Sequence, residues 1–520
     1  MGVRSEFPCR NQHDPFCVRG ILSNVADPEK LRSSLFAGNP RRKKMKSFLG
    51  ILPILIAFLA SPFWGEVSAE NVLEFSEVWT KIQTQAPNLK SKALEVQAAE
   101  ISKDRAKKHW LPKVYADVRS YQTNDPALNF MGKLGQRSAT QSDFSTASVR
   151  SQPSNFLDAN NQPYTGLNSN TANIFAKDTL NNPGSQTYAR GTLGIELPLY
   201  EGGAKSSASL IQEKRLSAVH AEEKYIRFRE YSNAAVAYQS ILLAEENGNI
   251  AENLRRKISD FLSQYQIGNR SNLVGFSGSL ALKSLQLILD VSKKESETVR
   301  QSADETLHFL AVDLPADFKP KKNTLLKFVE EYLPLPNEQE SGHTPLADAY
   351  SAYAEGAKES VTSEKSKFLP KVAAYAETYA YDGNRNFANS YNAGIYLQMN
   401  LLSPTDIGAL DEAKAKAEGA KKKSEEIRLR EESNFRILIQ QEKTLSENLR
   451  SIYESVRLQE EQLQVSQKLF RNGTIQAPQL AESFSAMVNL LKMKTASESE
   501  YLRIRGELSI YAKRGNSNER

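Results

Sequence analysis

Cysteine is almost missing from this chain. Of 520 residues only Cys9 and Cys17 carry a thiol, and both precede residue 45. The remainder has no disulfide framework, no thiolate nucleophile and no cysteine-ligated metal. Histidine is nearly as scarce. His109, His220, His308 and His343 are scattered along the body, never in the HExxH spacing that sets two ligands on one helix face. Phosphate-cradling glycine loops and GxGxxG are absent. Gly275-Phe276-Ser277-Gly278 has the letters of a nucleophile turn without the strand that must precede one. Acid pairs such as Glu425/Glu426 and Glu460/Glu461 lie beside lysines and arginines, as on a solvated helix face. No cofactor and no metal is expected, and the composition points away from an enzyme.

Bulk charge and long apolar runs are also lacking. Residues 1–69 hold ten basic and five acidic side chains, which leaves 57 basic against 56 acidic over the rest. A body so close to neutral has no electrostatic footprint for nucleic acid. The runs Lys321-Lys322 and Lys421-Lys422-Lys423 lack the interleaved aromatics of a strand-binding groove. Beyond residue 69 there is no run of eighteen apolar residues, which excludes a polytopic helical membrane protein. A β-barrel stays open, because its strands are short and alternating.

What is present begins with an export signal. Arg41, Arg42, Lys43, Lys44 and Lys46 precede an apolar run from Phe48 to Ala60, broken only by Gly50 and Pro53. Val67-Ser68-Ala69 follows. A basic start, a short apolar core and small residues at the end predict a signal peptide over 45–69, cut between Ala69 and Glu70. Residues 1–44 form an extension upstream of a second candidate start, Met45.

The body reads as one unit used twice. His109-Trp110-Leu111-Pro112-Lys113-Val114 recurs as Lys367-Phe368-Leu369-Pro370-Lys371-Val372. Leu193-Gly194-Ile195-Glu196-Leu197 resembles Ile395-Tyr396-Leu397-Gln398-Met399, and Tyr265-Gln266-Ile267-Gly268 matches Phe470-Arg471-Asn472-Gly473. These landmarks predict a first repeat over 70–312, with strands near 113–121 and 188–197, a long helix near 203–266 and a return helix near 278–312. A linker covers 313–345. The second repeat covers 346–513, with strands near 371–381 and 391–401, a long helix near 406–471 and a return helix near 477–512. Residues 514–520 are a tail. The halves differ mainly in one loop, 122–187, rich in Asn, Ser, Thr, Gln and Gly.

The strands alternate with period two, as Val114, Ala116 and Val118 against Tyr115, Asp117 and Arg119. An apolar face opposite a polar one suits a lipid-facing barrel or a half-buried soluble sheet. The long helices contain no proline between 203 and 266 or between 406 and 471. Each would reach roughly 95–100 Å at about 1.5 Å per residue. Leu445, Leu449, Ile452, Val456, Leu463 and Phe470 mark a heptad seam, answered by Leu480, Phe484, Met487 and Leu491 on the following helix.

In this order and spacing the motifs resemble the TolC-like outer-membrane efflux proteins. The resemblance rests on the tandem halves, the paired Leu-Pro-Lys-Val segments, the Leu197-Pro198-Leu199-Tyr200-Glu201-Gly202-Gly203 exit into a long helix, and the aromatic-x-x-Gly tips. The loop segment Asn124-Asp125-Pro126 through Gly132-Lys133-Leu134-Gly135-Gln136-Arg137, with Asp143-Phe144, is similar to one branch of that family. The resemblance implies an α+β membrane protein and a homotrimer. Each copy would give four strands to a twelve-stranded barrel in outer-membrane lipid, and long antiparallel coiled-coil helices to a periplasmic tunnel. It implies passive conduction in a tripartite efflux or type I secretion system, with a periplasmic adaptor (membrane-fusion) protein and an inner-membrane transporter as partners. Carried over by position, Tyr265, Gly268, Phe470 and Gly473 would form the tips that meet the adaptor. Of the acids that often follow the second tip, Glu482 would remain, while Gln479 stands at the other position. The competing class is a secreted or periplasmic coiled-coil structural or adhesive protein without a pore.

Overall fold

A computed structural model describes residues 71–140, 143, 157–163, 178–264, 271–336, 342–382 and 388–512. The export signal, the pair Ala69 and Glu70, and the first-tip residues Tyr265 and Gly268 lie outside the described residues. In chain order the elements are β1 (Val72–Leu73), α1 (Phe75–Gln85), α2 (Pro87–Lys107), β2 (Lys113–Thr123), α3 (Pro126–Gly135) and β3 (Gln186–Glu201). The first hairpin follows, α4 (Ala204–Gln264) and α5 (Leu273–Leu310). Then come β4 (Lys319–Pro320), α6 (Leu325–Tyr332), α7 (Pro345–Ser366), β5 (Lys371–Tyr381) and β6 (Ala388–Gln398). The second hairpin, α8 (Ala409–Arg471) and α9 (Ala477–Ser509), completes the chain.

The main sheet has the order β2-β3-β5-β6, antiparallel throughout, so the two halves join at the β3–β5 pair. Some boundaries differ from those expected. The last strand was expected over 391–401 and occupies 388–398. Its register is set by β5, which starts at Lys371 opposite Gln398 and leaves nothing for Met399 to Leu401 to pair with. β3 runs past Pro198 to Glu201 because the register shifts between Pro198 and Tyr200, a bulge that tolerates the missing N–H. The return helix α5 starts at Leu273 rather than 278, since Asn272 caps it by accepting from the Gly275 N–H at 3.1 Å. The second long helix starts at Ala409 rather than 406. A short 3-10 turn at Pro404–Asp406 and a left-handed Gly408, φ 84°, intervene.

The helices pack as two hairpins. Near the tips Leu254, Ile258 and Phe261 of α4 meet Leu282, Leu285 and Leu289 of α5, and Leu480, Phe484 and Met487 of α9. Among the described residues α5 is the one helix long and apolar enough to cross a membrane. Leu282, Leu285 and Leu289 go into this cluster, while Leu280, Leu287 and Val291 stay exposed.

A collar of short elements packs against the middle of the helices. Phe75 of α1 meets Tyr231, Tyr238, Phe328 and Tyr332 edge-on, with centroids 5.1–5.6 Å apart. The linker expected over 313–345 thus carries structure: β4 pairs in parallel with β1, and α6 caps the aromatic cluster. The Tyr238 hydroxyl ties both strands, donating to the Leu73 carbonyl at 2.7 Å and accepting from the Lys321 N–H at 2.8 Å.

Buried charges are paired. Arg505 donates to the Leu333 carbonyl at 2.8 Å and to Glu442 at 3.1 Å. Lys494 lies between Glu246 at 2.8 Å and Glu498 at 3.2 Å. Burial works to lower its pKa, but the two carboxylates outweigh it and hold the ammonium above its usual value. Glu431 of α8 is different. It is buried, and accepts from the Thr344 N–H at 3.2 Å and from the Thr344 hydroxyl. Burial pushes its pKa up, with the two Thr344 bonds pulling the other way. A raised carboxyl pKa gives stability that is full in acid and is lost as pH climbs through the folded value. Glu431→Gln keeps an acceptor for Thr344 and has no charge to bury. Its thermal midpoint should exceed the parent's at neutral and mildly alkaline pH, by on the order of 1 kcal/mol of stability, and converge with it in acid. Parallel melts at every pH would reject this role for Glu431.

Candidate functional site

Residues paired across a ladder share a face, and neighbours along a strand point to opposite faces. The register therefore sorts the sheet. One face carries Val114, Ala116 and Val118, then Leu193, Ile195 and Leu197, then Ala374 and Ala376, then Ile395 and Leu397. It is bare: Val118 is 82% exposed, Ile395 70% and Leu397 68%. Every charged residue of the four strands is on the other face: Lys113, Asp117, Arg119, Arg190, Glu196, Glu201, Lys371 and Glu377. Tyrosines fill the gaps between them. Glu377 accepts from the Tyr115 and Tyr379 hydroxyls, Glu196 accepts from Tyr396, and the Arg190 guanidinium lies 5.5 Å from the Tyr379 ring centre. The carboxylates are thus linked into a wall of hydroxyls and cations. Alternation made the apolar face legible in the sequence. The polar network was not, because it joins strands from both halves.

The second tip is built as the sequence suggests. After α8 the Thr474 N–H reaches the Leu469 carbonyl at 2.9 Å and the Gly473 N–H reaches Phe470 at 3.0 Å. This pair of bonds needs a left-handed residue, and Gly473 supplies it with φ 71°. The Phe470 ring is 5.8 Å from Phe261, edge-on, and so joins the second hairpin to the first. Glu482 is exposed on the early turns of α9. Gln479 has a local task, accepting from the Gln476 N–H at 2.9 Å as half of a capping box.

Sequence reasoning passed over Gly278. A Cβ there would lie 2.5 Å from Ala477 Cβ and 2.7 Å from Pro478 N. The first hairpin touches the start of α9 backbone to backbone. The small-residue run Gly275, Ser277, Gly278 and Ser279 was the available sign, masked by its likeness to a nucleophile turn. Gly278→Leu should prise the hairpins apart, lower stability by about 1–3 kcal/mol and open the tip region to protease; Ser277→Leu should do much less. Equal digestion of both variants would show that the close approach is unimportant.

Among the described residues no group of histidines, cysteines and acids could hold a metal. No protein-family model and no curated protein matches the sequence. Solved structures do match. CusC, whose structures concern transmembrane channel formation, aligns at TM-score 0.61 and 9% identity, over 85% of this chain and 94% of that one. The outer membrane protein VceC from Vibrio cholerae aligns at 0.59 and 13%, over 84% and 94%. The Neisseria gonorrhoeae MtrE outer membrane channel, in its open state, aligns at 0.58 and 12%, over 84% and 88%. With the charges of a four-stranded sheet on one face and two rod-like hairpins below it, the chain has the fold of the TolC-family outer-membrane channels.

Proposed function

We propose that three copies of this chain form a channel in the outer membrane of a two-membrane bacterium and conduct solutes passively out of the cell. The observation that carries this is the sorting of the sheet: all strand charges on one face, none on the other. Lipid outside and water inside ask for that pattern. A hydrocarbon core leaves no partner for an open strand edge, so β2 and β6 must pair with other copies. Three sheets of four strands make the twelve-stranded barrel that the family resemblance implies.

The helices support the same assembly. Ile437, Leu458 and Val465 share one heptad line of α8, and Leu273, Leu280 and Leu287 share one of α5, all exposed. Two seams without a partner among the described residues suit a closed ring, each copy giving one seam to each neighbour. The hairpins would then continue the barrel as a periplasmic tunnel. A periplasmic adaptor would meet the tips at Phe470 and Gly473, together with Tyr265 and Gly268 of the first tip, and an inner-membrane transporter would supply the energy. Opening is a shift between two packings of the hairpins, which has to release or slide past the Gly278–Ala477 contact.

Extraction in detergent should give an elongated particle of three chains that fractionates with the outer membrane and conducts ions in planar bilayers. A water-soluble single chain without conductance would end this reading in favour of a coiled-coil structural protein. Within the channel, Glu482→Ala should weaken block by multivalent cations added from the tip side. Unchanged currents would remove Glu482 from the entrance.

A further inference from the structure

The loop between β2 and β3 turns back onto the polar face of the sheet. Asp125 caps α3 by accepting from the Leu128 N–H at 2.9 Å, with Pro126 in the first turn. Asn129 is fully buried; it donates to the Gly184 carbonyl at 3.1 Å, and the Tyr188 hydroxyl bonds its main-chain carbonyl at 3.0 Å and its side-chain oxygen. A Cβ on Gly132 would lie 2.6 Å from the Tyr188 ring, and one on Gly135 would lie 2.7 Å from Tyr381. The α3 backbone thus rests directly on two tyrosines. Tyr188 pairs with Tyr121, and Tyr381 with Arg190, so both belong to the charged face, at the end of the sheet away from the long helices. Lys133 and Asp143 form an ion pair that ties the helix to the loop beyond it.

Beside this seat α3 leaves apolar side chains bare: Leu128, in the first turn on the same helix line as Gly132 and Gly135, is 53% exposed, and Met131 and Leu134, on the flank of that line, are 64% and 43% exposed. Over a polar lumen these side chains have no partner within the chain among the described residues. Covering them would remove apolar surface from water. The size of the barrel says what is within reach. Twelve strands about 4.8 Å apart and tilted by about 40° enclose a radius of about 12 Å. A helix about 10 Å across, laid on that wall, extends nearly to the axis.

We infer that the apolar face of α3 is a contact surface for the same helix of the other two copies. The three helices meet on the threefold axis, and Leu128, Met131 and Leu134 stop the outer mouth with an apolar constriction, a barrier that works by excluding water. The inference rests on the trimeric-barrel reading above. It adds a second barrier, at the opposite end of the conduit from the tips.

The first test is cross-linking. Met131→Cys in the detergent-extracted trimer should join copies with a short bismaleimide, whereas Val118→Cys, on the lipid face, should not. The second is access from outside. Gln398→Cys lies on the lumen face at the helical end of the barrel. In intact cells a bulky polyethylene-glycol maleimide should label it slowly. Adding Leu128→Asp, Met131→Asp and Leu134→Asp should raise that rate by an order of magnitude or more. If the triple variant does not assemble, the Met131→Cys cross-link decides alone. A trimer with no cross-link at Met131, or with Gln398→Cys labelled equally in both backgrounds, overturns the constriction and leaves the channel standing; cover of α3 by its own loop would give this result. A particle that is not a trimer takes down the channel reading and the constriction together.

Discussion

The rest of this architecture depends on one unmet need: the backbone groups along the outer edges of β2 and β6. Four antiparallel strands satisfy each other inside the sheet and leave two rows of N–H and C=O without partners on it. In water such edges are tolerable; in hydrocarbon each unpaired group costs several kcal/mol. The side chains are sorted between the two faces of the sheet. Eight charges on one face and bare Val, Leu and Ile on the other are a poor soluble sheet, because among the described residues nothing packs on the apolar side. In the assembly we propose, edge pairing between copies would resolve the backbone problem. The same closure would give the charged face a shared interior.

The helices answer a different problem, which is reach. α4 and α8 have 61 and 63 residues, so each spans about 90–95 Å at about 1.5 Å per residue. A lone helix of that length is not stable for its own sake; it needs a seam along its whole course. The chain supplies seams in two kinds. Those buried within the hairpins, such as Leu449, Leu463, Leu480 and Phe484, hold one copy together. Those left exposed on α5 and α8 have no occupant among the described residues. Buried ion pairs punctuate the inner seams. Lys494 between Glu246 and Glu498 fixes the register of α9 against α4, because sliding by a turn would strand a buried charge.

Period and punctuation made much of this legible in the sequence. Alternation from Val114 to Val118 and from Leu193 to Leu197 located two strands and their apolar faces. The absence of proline located the long helices, and Gly473 located a turn that only a left-handed residue can make. What escaped was long-range. The end of β6 depends on where β5 begins, which no local pattern in 388–401 encodes. The collar depends on Phe75 meeting rings that lie far away in the chain. Gly278 shares the letters of a nucleophile turn, a reading that the missing strand rejects, because a close helix approach and a tight nucleophile loop both favour small residues. The segment Asp125 to Gly135 was recognised as a family likeness, but its helix and its seat on Tyr188 and Tyr381 follow from cross-strand neighbours. Of the expected tip residues, Phe470 and Gly473 sit at the turn, Glu482 is exposed nearby on the following helix, and Tyr265 and Gly268 fall outside the described residues.

The collar has a consequence in time. Its short parallel sheet joins Val72 to Lys319, and Lys321 reaches Glu74 across 247 residues of chain. Neither strand can form until both segments are free to meet. A polypeptide that appears from its N-terminus therefore keeps this pairing open until Lys319 to Lys321 have followed. The aromatic cluster around Phe75 can assemble only after α4, α5 and α6 have all emerged. Closure of the collar thus reports that the first hairpin is complete, before the second half of the sheet arrives to be paired.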